Sequence, residues 1–150
     1  QYKKVNLNEL LSKIISIYAI KYTNVKLINI IDDITMETSD LALEVILENL
    51  IDNAIKYNNN EKQIVKISSK KSTSNKVSIF IEDNGIGIKE DFRKKIFDPF
   101  TRINEIESSL GSGLGLFIAK QAAAKINSSI LLVKSNNLGS IFEIKINNEN

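Results

Sequence analysis

The sequence predicts a two-layer α+β sandwich, in which helices cover one face of a mixed β-sheet. Segments with the pattern of β-strands come mainly in adjacent pairs, and segments with helical periodicity separate these pairs. The 150 residues, 43% of them hydrophobic and 25% charged, suit a globular fold with its own core. No repeat or low-complexity linker divides the chain, so we expect residues 1–150 to form a single domain. A β–α–β series with a wholly parallel sheet is the less favoured alternative.

The elements of the first half are predicted from apolar periodicity and from residues that cap helices. An apolar run at helical spacing follows Asn6 and predicts a first helix, and a short strand is expected over residues 25–31. The Thr-Ser-Asp triplet at residues 38–40 offers capping oxygens to a long helix, which should span residues 41–57. Three asparagines, residues 58–60, end this helix because asparagine disfavours helix interiors.

The second half is predicted to hold two pairs of strands with helices between them. One of these helices is rich in Ala, Ile and Lys, and a polar, irregular stretch precedes it. The predicted strands lie near residues 64–69, 76–83, 130–134 and 140–146. The predicted helices are a short one around residues 89–97 and a longer one over about residues 114–126.

The long helix carries an apolar stripe and, beside it, a polar stripe when its residues are placed at about 100° each. Asn49, Asn53 and Lys56 recur at helical spacing on the polar stripe, and Tyr57 lies between the two stripes. An amide oxygen is a suitable ligand for Mg²⁺, and a lysine ammonium can pair with phosphate. The alternative is an ordinary solvated polar face. The residues expected to face the sheet are Leu43, Leu47, Leu50 and Ala54.

A carboxylate ends the core-facing row of the strand near residues 76–83. The row consists of alternate residues, Val77, Ile79 and Ile81, and the same parity continues to Asp83. A buried carboxylate needs hydrogen-bond donors, and the amino group of adenine supplies one in an apolar slot. Gly85 and Gly87 follow, which allows a tight turn and close approach of the backbone to a ligand. The alternative is a turn in which the aspartate caps its own backbone.

A second glycine cluster opens the helix near residue 114. Backbone N–H groups at a helix start lie at the positive end of the helix dipole, so they favour an anion such as polyphosphate. The pattern matches neither a Walker loop nor a dinucleotide-binding fingerprint, and a plain flexible loop is the alternative. The polar stretch before it, residues 98–110, is predicted to be a lid over the phosphates, with a surface loop as the alternative. The cluster consists of Gly111, Gly113 and Gly115.

Four segments together resemble the sequence boxes of the catalytic and ATP-binding domain of sensor histidine kinases. Residues 48–57 resemble the N box and residues 83–88 the G1 box. Residues 97–102 resemble the F box, and residues 111–116 the G2 box. All four stand in the order of that family, and the resemblance covers most of the chain between residues 40 and 146.

The resemblance implies the Bergerat ATP-binding fold of the GHKL superfamily, with ATP and Mg²⁺ as its ligands. It implies that Asn53 and Asn49 hold Mg²⁺, and that Lys56 contacts phosphate. It also implies that Tyr57 lies along the adenine and that Asp83 accepts a hydrogen bond from the adenine amino group. Gly87 would then lie close to the base.

The rest of the implied site concerns the lid and the phosphates. Lys56 and Arg102 are the candidate catalytic residues, because they would stabilise charge on the transferring phosphoryl group. Pro99 stands where some members of the family place an arginine, which shifts that role toward these two residues. Phe97 and Phe100 are expected to anchor the base of the lid. The other implied nucleotide-binding residues are Gly85, Ile88, Phe100, Gly111, Ser112, Gly113, Leu114, Gly115 and Leu116.

The absence of histidine from the sequence defines what the domain needs from a partner. A sensor histidine kinase transfers phosphate to a histidine on a helical dimerisation domain, which lies N-terminal to the catalytic domain in the family. We therefore expect a fragment, or a partner, that acts on a histidine elsewhere and through it, indirectly, on a response regulator. ATP-hydrolysing relatives place a glutamate where this chain has Asn49, so phosphoryl transfer is favoured over rapid hydrolysis.

The composition narrows the remaining classes of function. A net charge of +2 does not predict nucleic-acid binding, and no apolar run reaches the roughly 20 residues that span a bilayer. No cysteine and no signal peptide is present, so we expect a cytoplasmic domain, as the cytoplasmic part of a membrane-bound sensor kinase. The alternative functions are a serine kinase or anti-sigma factor of the same fold, and a nucleotide-dependent interaction module with little turnover.

Overall fold

The computed structural model describes residues 1–72, 75–100 and 113–147. Helices separate groups of one or two strands along the chain, and the strands of the second half come in adjacent pairs as the sequence predicts. In chain order the elements are β1 (Lys3–Asn6), α1 (Leu7–Lys21), β2 (Val25–Ile30), β3 (Thr35–Thr38), α2 (Asp40–Lys56), β4 (Gln63–Lys71), β5 (Lys76–Asp83), a 3₁₀ turn (Glu90–Phe92), α3 (Gly115–Lys125), β6 (Ser128–Asn136) and β7 (Gly139–Asn147).

Five strands form a mixed sheet in the order β2-β4-β5-β7-β6. The β2 and β4 strands pair in parallel, and the other three pairs are antiparallel. The helices lie on one face of this sheet, so the predicted α+β sandwich is confirmed. No helix in the described part of the chain has both the length and the apolar composition needed to cross a membrane.

A second, two-stranded sheet pairs β1 with β3 in antiparallel fashion, and the sequence analysis did not predict it. Each strand has only four residues, which is too short for alternation to be recognised. Their pairing joins Lys3 to Thr38, and a salt bridge of 2.6 Å from Lys3 to Asp40 ties β1 to the start of α2. The pair therefore depends on contacts between residues far apart in the sequence.

The core lies between the helices and one face of the large sheet. Burial alternates along β5. Its even-numbered residues are exposed or partly exposed, and its odd-numbered residues are buried as far as Asp83. The four residues predicted to face the sheet from α2 are buried, which confirms the predicted stripe: Leu43, Leu47, Leu50 and Ala54. The opposite face of the sheet is polar, with a 3.0 Å ion pair between Lys66 and Glu82.

Side-chain caps begin both long helices at the positions that the sequence suggests. The Glu9 N–H donates to Asn6 Oδ1 over 2.9 Å at the start of α1. The Ala42 N–H donates to Ser39 Oγ over 3.2 Å at the start of α2. Each bond satisfies one backbone donor that the helix itself leaves unpaired. The caps fix where α2 starts, and so which of its residues face the sheet.

The short helix predicted around residues 89–97 is wrong as an α-helix. Only Glu90–Phe92 form a helix, of the 3₁₀ type, and turns follow it. The backbone bonds in this segment join residues three apart, as from the Lys95 N–H to the Phe92 carbonyl over 2.9 Å. Arg93 also donates through Nη2 to the Ser135 carbonyl over 2.6 Å, which ties the segment to β6. Tertiary contacts thus hold a tighter coil than periodicity predicts.

Candidate functional site

The predicted carboxylate of Asp83 lies at the buried end of β5 and is only 9% exposed. The Gly85 N–H donates to Asp83 Oδ1 over 2.9 Å, and the Ser140 N–H donates to the same oxygen over 3.3 Å. Within the described residues no donor reaches Oδ2. Burial raises the pKa of Asp83 to about 6, and the two backbone donors oppose that rise. The aspartate does cap its own turn, yet it keeps one oxygen for a further donor.

The C-terminal end of α2 lies directly against the turn that follows Asp83. The Ile86 N–H donates to the Tyr57 carbonyl over 3.1 Å, and the Tyr57 N–H donates to the Asn53 carbonyl over 3.1 Å. A Cβ at Gly85 would lie 2.3 Å from the Tyr57 carbonyl oxygen and 2.9 Å from Asp83 Oδ1. Only glycine fits at this contact. The structure therefore brings the predicted N-box and G1-box segments together.

The β6–β7 hairpin forms the other side of the Asp83 turn. Gly139 has a φ of +134°, and a Cβ there would lie 1.9 Å from the Asp83 carbonyl oxygen. Gly87 has a φ of +76°, and a Cβ there would lie 1.9 Å from the Asn136 carbonyl oxygen. The requirement for glycine at position 87 thus has a structural cause in the hairpin. That Gly87 lies close to the adenine stays a prediction.

A buried chain of hydroxyl groups continues from this hairpin to the G1-box segment. Ser135 Oγ and Ser140 Oγ lie 2.8 Å apart, and the Ile88 N–H donates to Ser135 Oγ over 2.7 Å. Both serines are buried. The sequence analysis did not assign Ser135, Gly139 or Ser140 to the site. The available signal was Gly139, the one glycine outside the two clusters.

The amide-bearing face of α2 carries the predicted metal ligands. Asn49 donates through Nδ2 to the Val45 carbonyl over 2.7 Å, which leaves its Oδ1 directed away from that bond. A Cβ at Gly115 would lie 3.2 Å from Asn49 Oδ1, so the start of α3 lies beside Asn49. Asn53 is partly buried and Lys56 is exposed. The part of the chain that the structure describes holds no cluster of three Asp, Glu, His or Cys residues suited to a metal.

The carboxylates of α2 lie on a different face of the helix, toward α1. The Tyr18 hydroxyl donates to the Glu48 carbonyl over 3.3 Å and lies next to Asp52. Burial raises the pKa of Tyr18 above its usual range, and the two nearby acidic groups add to that rise. Burial, followed by the neighbouring Glu44, also raises the pKa of Glu48. The side chains of Glu48 and Asp52 therefore lie at the contact between α1 and α2.

The two phenylalanines expected at the base of the predicted lid differ in their surroundings. The Phe97 ring packs edge-on against Phe142 at 6.3 Å between centroids, and Lys120 Nζ lies 4.9 Å from its centre. The expected role of Phe100 at the base of the lid stays a prediction, and the Phe100 side chain is 70% exposed. Its backbone N–H instead donates to the Gly113 carbonyl over 3.0 Å, which joins the two ends of residues 101–112.

The remaining predicted residues divide into those the structure describes and those outside its range. Arg102, Gly111 and Ser112 lie outside the described residues. Leu114 caps α3 and Gly115 is its first residue. The side chains of Ile88 and Leu116 are buried with the residues of the core, and their contact with a nucleotide stays a prediction.

Comparison with protein families identifies the chain. The family model described as "Histidine kinase-, DNA gyrase B-, and HSP90-like ATPase" matches residues 38–150. The chain belongs to this family. The recognised range starts at β3 and so contains the long helix, the Asp83 turn and both final strands. The predicted membership in the GHKL superfamily, as a histidine kinase ATP-binding domain, is confirmed.

Two relatives of this chain are described as sensor proteins. Sensor protein CiaH of Streptococcus pneumoniae serotype 4 is 35% identical over 114 residues, which cover 75% of this chain and 25% of CiaH. Sensor protein RprX of Bacteroides fragilis is 30% identical over 150 residues, covering 96% of this chain and 29% of RprX. The chain thus spans about a quarter of the length of these relatives.

Solved structures of histidine kinases share the fold of this GHKL domain. The nucleotide-free catalytic domain of histidine kinase ThkA superposes on this chain with a TM-score of 0.84 at 27% identity. The match covers 99% of this chain and 96% of the ThkA chain. The ATP binding domain of PrrB from Mycobacterium tuberculosis gives a TM-score of 0.80 at 22% identity over 100% and 99% of the two chains. The likeness to PrrB shows the fold alone.

Proposed function

We propose that this GHKL domain binds Mg-ATP between the C-terminal half of α2 and the Asp83 turn, and donates the γ-phosphoryl group to a histidine on a separate dimerisation domain. The observation that carries the proposal is the buried Asp83 carboxylate, which has both of its donors on Oδ1 and lies against the end of the helix that bears Asn53 and Lys56. A carboxylate in that position needs a further donor, and the polar stripe of α2 begins one helical turn away.

Adenine suits the Asp83 end of the site. Its exocyclic amino group would donate to Oδ2, the oxygen that neither Gly85 nor Ser140 occupies. The flat ring would lie along Tyr57, which is partly buried at the end of α2. A buried acceptor that is left unpaired is costly, so the amino group gains more here than it would in water. The site should therefore prefer adenine to purines without the amino group.

The triphosphate would extend toward the amide-bearing face of α2. Asn53 and Asn49 offer neutral amide oxygens, which suit Mg²⁺ held mainly by water and phosphate. The Mg²⁺ ion, when bound, would neutralise charge on the phosphate oxygens. Lys56 and Arg102 would add positive charge at the transferring group. The lack of a described carboxylate cluster fits a metal that arrives with its nucleotide.

The phosphoryl acceptor must lie on another domain or chain, because the 150 residues contain no histidine. In the proposed reaction an imidazole nitrogen of that acceptor attacks the γ-phosphorus, the bond to the β-phosphate oxygen breaks, and ADP leaves. The imidazole proton passes to solvent. Because the acidic residues of α2 face α1, they are not placed to activate water near Asn53. This favours transfer to the imidazole over hydrolysis.

The proposal has consequences for the parent protein. The named relatives are sensor proteins roughly three times as long as this chain, so we infer that the parent carries the dimerisation domain and delivers phosphate to a response regulator. We propose that the domain works in the cytoplasm, where ATP is abundant. Nucleic acid is not among the proposed partners.

The experiment that tests the proposal uses radiolabelled ATP and the parent's histidine-bearing dimerisation domain. We expect Mg²⁺-dependent label on the dimerisation domain that is lost in acid and retained in base, as phosphohistidine requires. Label that is stable in acid, or that sits on serine, would instead support the serine kinase alternative. ATP binding without transfer to any partner would support an interaction module.

A matched pair of variants makes this experiment specific to the site. Asp83→Asn should abolish transfer because it removes the acceptor for the adenine amino group. Glu82→Gln removes a carboxylate from the adjacent residue on the open face of the sheet, where it forms an ion pair with Lys66, and should leave transfer unchanged. Equal transfer by the two variants would contradict the proposed site.

A further inference from the structure

Four side-chain amides form a cluster between the end of α2 and the Asp83 turn. We call it the amide clamp, and it joins the loop that connects α2 to β4 with the residue that follows Asp83. None of its four residues is among the predicted nucleotide-binding residues, although Asn84 lies within the G1 box. Its members are Asn58, Asn60, Gln63 and Asn84.

Asn84 is the centre of the amide clamp. Its Oδ1 accepts from Asn58 Nδ2 over 2.7 Å and from the Ile64 N–H over 2.9 Å. Its Nδ2 donates to the Lys62 carbonyl over 2.8 Å. Its backbone N–H donates to the Ile64 carbonyl over 3.3 Å. The side chain is therefore engaged on the α2–β4 loop through both of its polar atoms.

Asn58 fixes the other side of the amide clamp and is only 8% exposed. Its Oδ1 accepts from the Asn60 N–H over 3.0 Å, and its carbonyl accepts from Gln63 Nε2 over 2.8 Å. Asn60 Nδ2 donates in turn to the Asn84 carbonyl. Because amide oxygens and nitrogens alternate as acceptors and donors, the clamp satisfies most of its own polar groups.

The amide clamp is linked to the carboxylate of Asp83 through the backbone. Asn84 stands between Asp83 and Gly85, whose N–H donates to Asp83 Oδ1 over 2.9 Å. A displacement of Asn84 would therefore move both the aspartate and one of its two donors. The same turn is held on its far side by the bond from the Ile86 N–H to the Tyr57 carbonyl.

We propose that Asn58 and Asn84 are positioning residues, which hold the Asp83 carboxylate where it meets the amino group of adenine. The inference rests on the proposed function and deepens it, because it names the residues that set preference for the amino group. A hydrogen bond of good geometry requires its acceptor to be placed within a few tenths of an ångström. The clamp supplies this placement without touching the nucleotide.

The test compares two nucleotides that differ only at this contact, ATP and purine riboside triphosphate, which lacks the amino group. Dissociation constants for both are measured by titration calorimetry for the wild type and for Asn58→Ala. We expect the wild type to favour ATP by about 10-fold or more. We expect Asn58→Ala to lose most of that preference, while its affinity for the analogue changes by less than about 2-fold.

Matched variants separate positioning from damage to the fold. Asn59→Ala removes an exposed amide from the same loop, one that makes no hydrogen bond to the described residues, and should behave as the wild type. Asn60→Ala removes the bond to the Asn84 carbonyl from an exposed residue and should give a smaller loss of preference in the same direction. It serves as the test if Asn58→Ala does not fold.

The outcomes distinguish this inference from the proposed function. A wild type that binds ATP and prefers it to the analogue, together with clamp variants that keep that preference, would overturn the role of the clamp alone. Equal losses for both nucleotides would also overturn it, since they indicate general damage. A wild type that binds neither nucleotide would overturn the proposed function itself.

Discussion

The two ends of the proposed site differ in how far the protein has already fixed them. At the adenine end, Asp83 takes two backbone hydrogen bonds, and the amide clamp and the β6–β7 hairpin hold its turn. At the phosphate end, no hydrogen bond or ion pair in the described part of the chain engages the Asn53 amide or the Lys56 ammonium. The adenine end of the proposed site is therefore already held by hydrogen bonds in the protein, whereas the Asn53 amide and the Lys56 ammonium at the phosphate end are available to a ligand.

The chemistry of the two ligand parts accounts for this difference. Adenine is neutral and flat, so discrimination depends on placing one acceptor opposite one donor. A triphosphate with Mg²⁺ is highly charged and carries its own water, so long or adaptable side chains can meet it in several geometries. In the proposed site a rigid contact would therefore recognise the base, and adjustable contacts would neutralise the charge of the phosphates. The variants below test whether the two ends of the site differ in this way.

Asp83→Asn should have the largest effect on nucleotide binding. The amide nitrogen would present a donor to the donor of the adenine amino group, so ATP affinity should fall by about 100-fold or more. Titration calorimetry measures this, with circular dichroism to show that the fold is retained. Glu82→Gln is the control, and an unchanged affinity in Asp83→Asn would remove Asp83 from its role.

The same substitution should stabilise the nucleotide-free domain. The folded pKa of Asp83, about 6, exceeds its ordinary value of 3.8, so the ionised form is disfavoured by folding. This cost is absent below pH 3.8, grows up to about pH 6 and is constant above it. Asp83→Asn should therefore raise the free energy of unfolding at pH 8 by up to roughly 3 kcal/mol, with little effect near pH 4.

Urea denaturation at the two pH values measures that gain in stability. Both backbone donors reach Oδ1, so an asparagine oriented with its oxygen in that place keeps them. A variant that is less stable than the wild type at pH 8 would show that the carboxylate is not held against a desolvation cost. Loss of binding together with a gain in stability would mark Asp83 as a residue kept for function.

Asn53→Ala should have an intermediate effect that depends on the metal. Removing one amide oxygen should lower the affinity for ATP by about 10-fold in Mg²⁺ and by much less in EDTA. Asp52→Ala, next on the same helix but directed toward Tyr18, is the control for helix integrity. Equal losses with and without Mg²⁺ would contradict a role for Asn53 at the metal.

Gly115→Ala should have the smallest effect. Its Cβ would lie 3.2 Å from Asn49 Oδ1, a side-chain atom that can shift by a few tenths of an ångström. We expect the affinity for Mg-ATP to fall about 2-fold to 3-fold, and no loss of stability because alanine favours the helix. The same titrations in Mg²⁺ and in EDTA measure it. A loss as large as that of Asp83→Asn would mean that the phosphate end is as rigid as the adenine end.

Much of this site could be predicted from local pattern. Alternation along β5 placed Asp83 on the buried face, and helical spacing placed Asn49, Asn53 and Lys56 on one stripe of α2. The two-stranded sheet could not be predicted, because four-residue strands carry too little alternation. The exposed Phe100 side chain was not predicted either, since a sequence box gives residue types but not the direction in which a side chain points.

The kinds of groups that the proposed site offers, and their order along the chain, could be predicted because they follow from spacing and residue chemistry. Tertiary structure decided which distant groups meet. The β5–β7 register pairs Glu82 with Ile141, and this places the Ser140 N–H beside Asp83, 57 residues away. The fold likewise brings Asn58 to Asn84 across 26 residues. Such contacts depend on strand register and on how the elements pack, which no local pattern encodes.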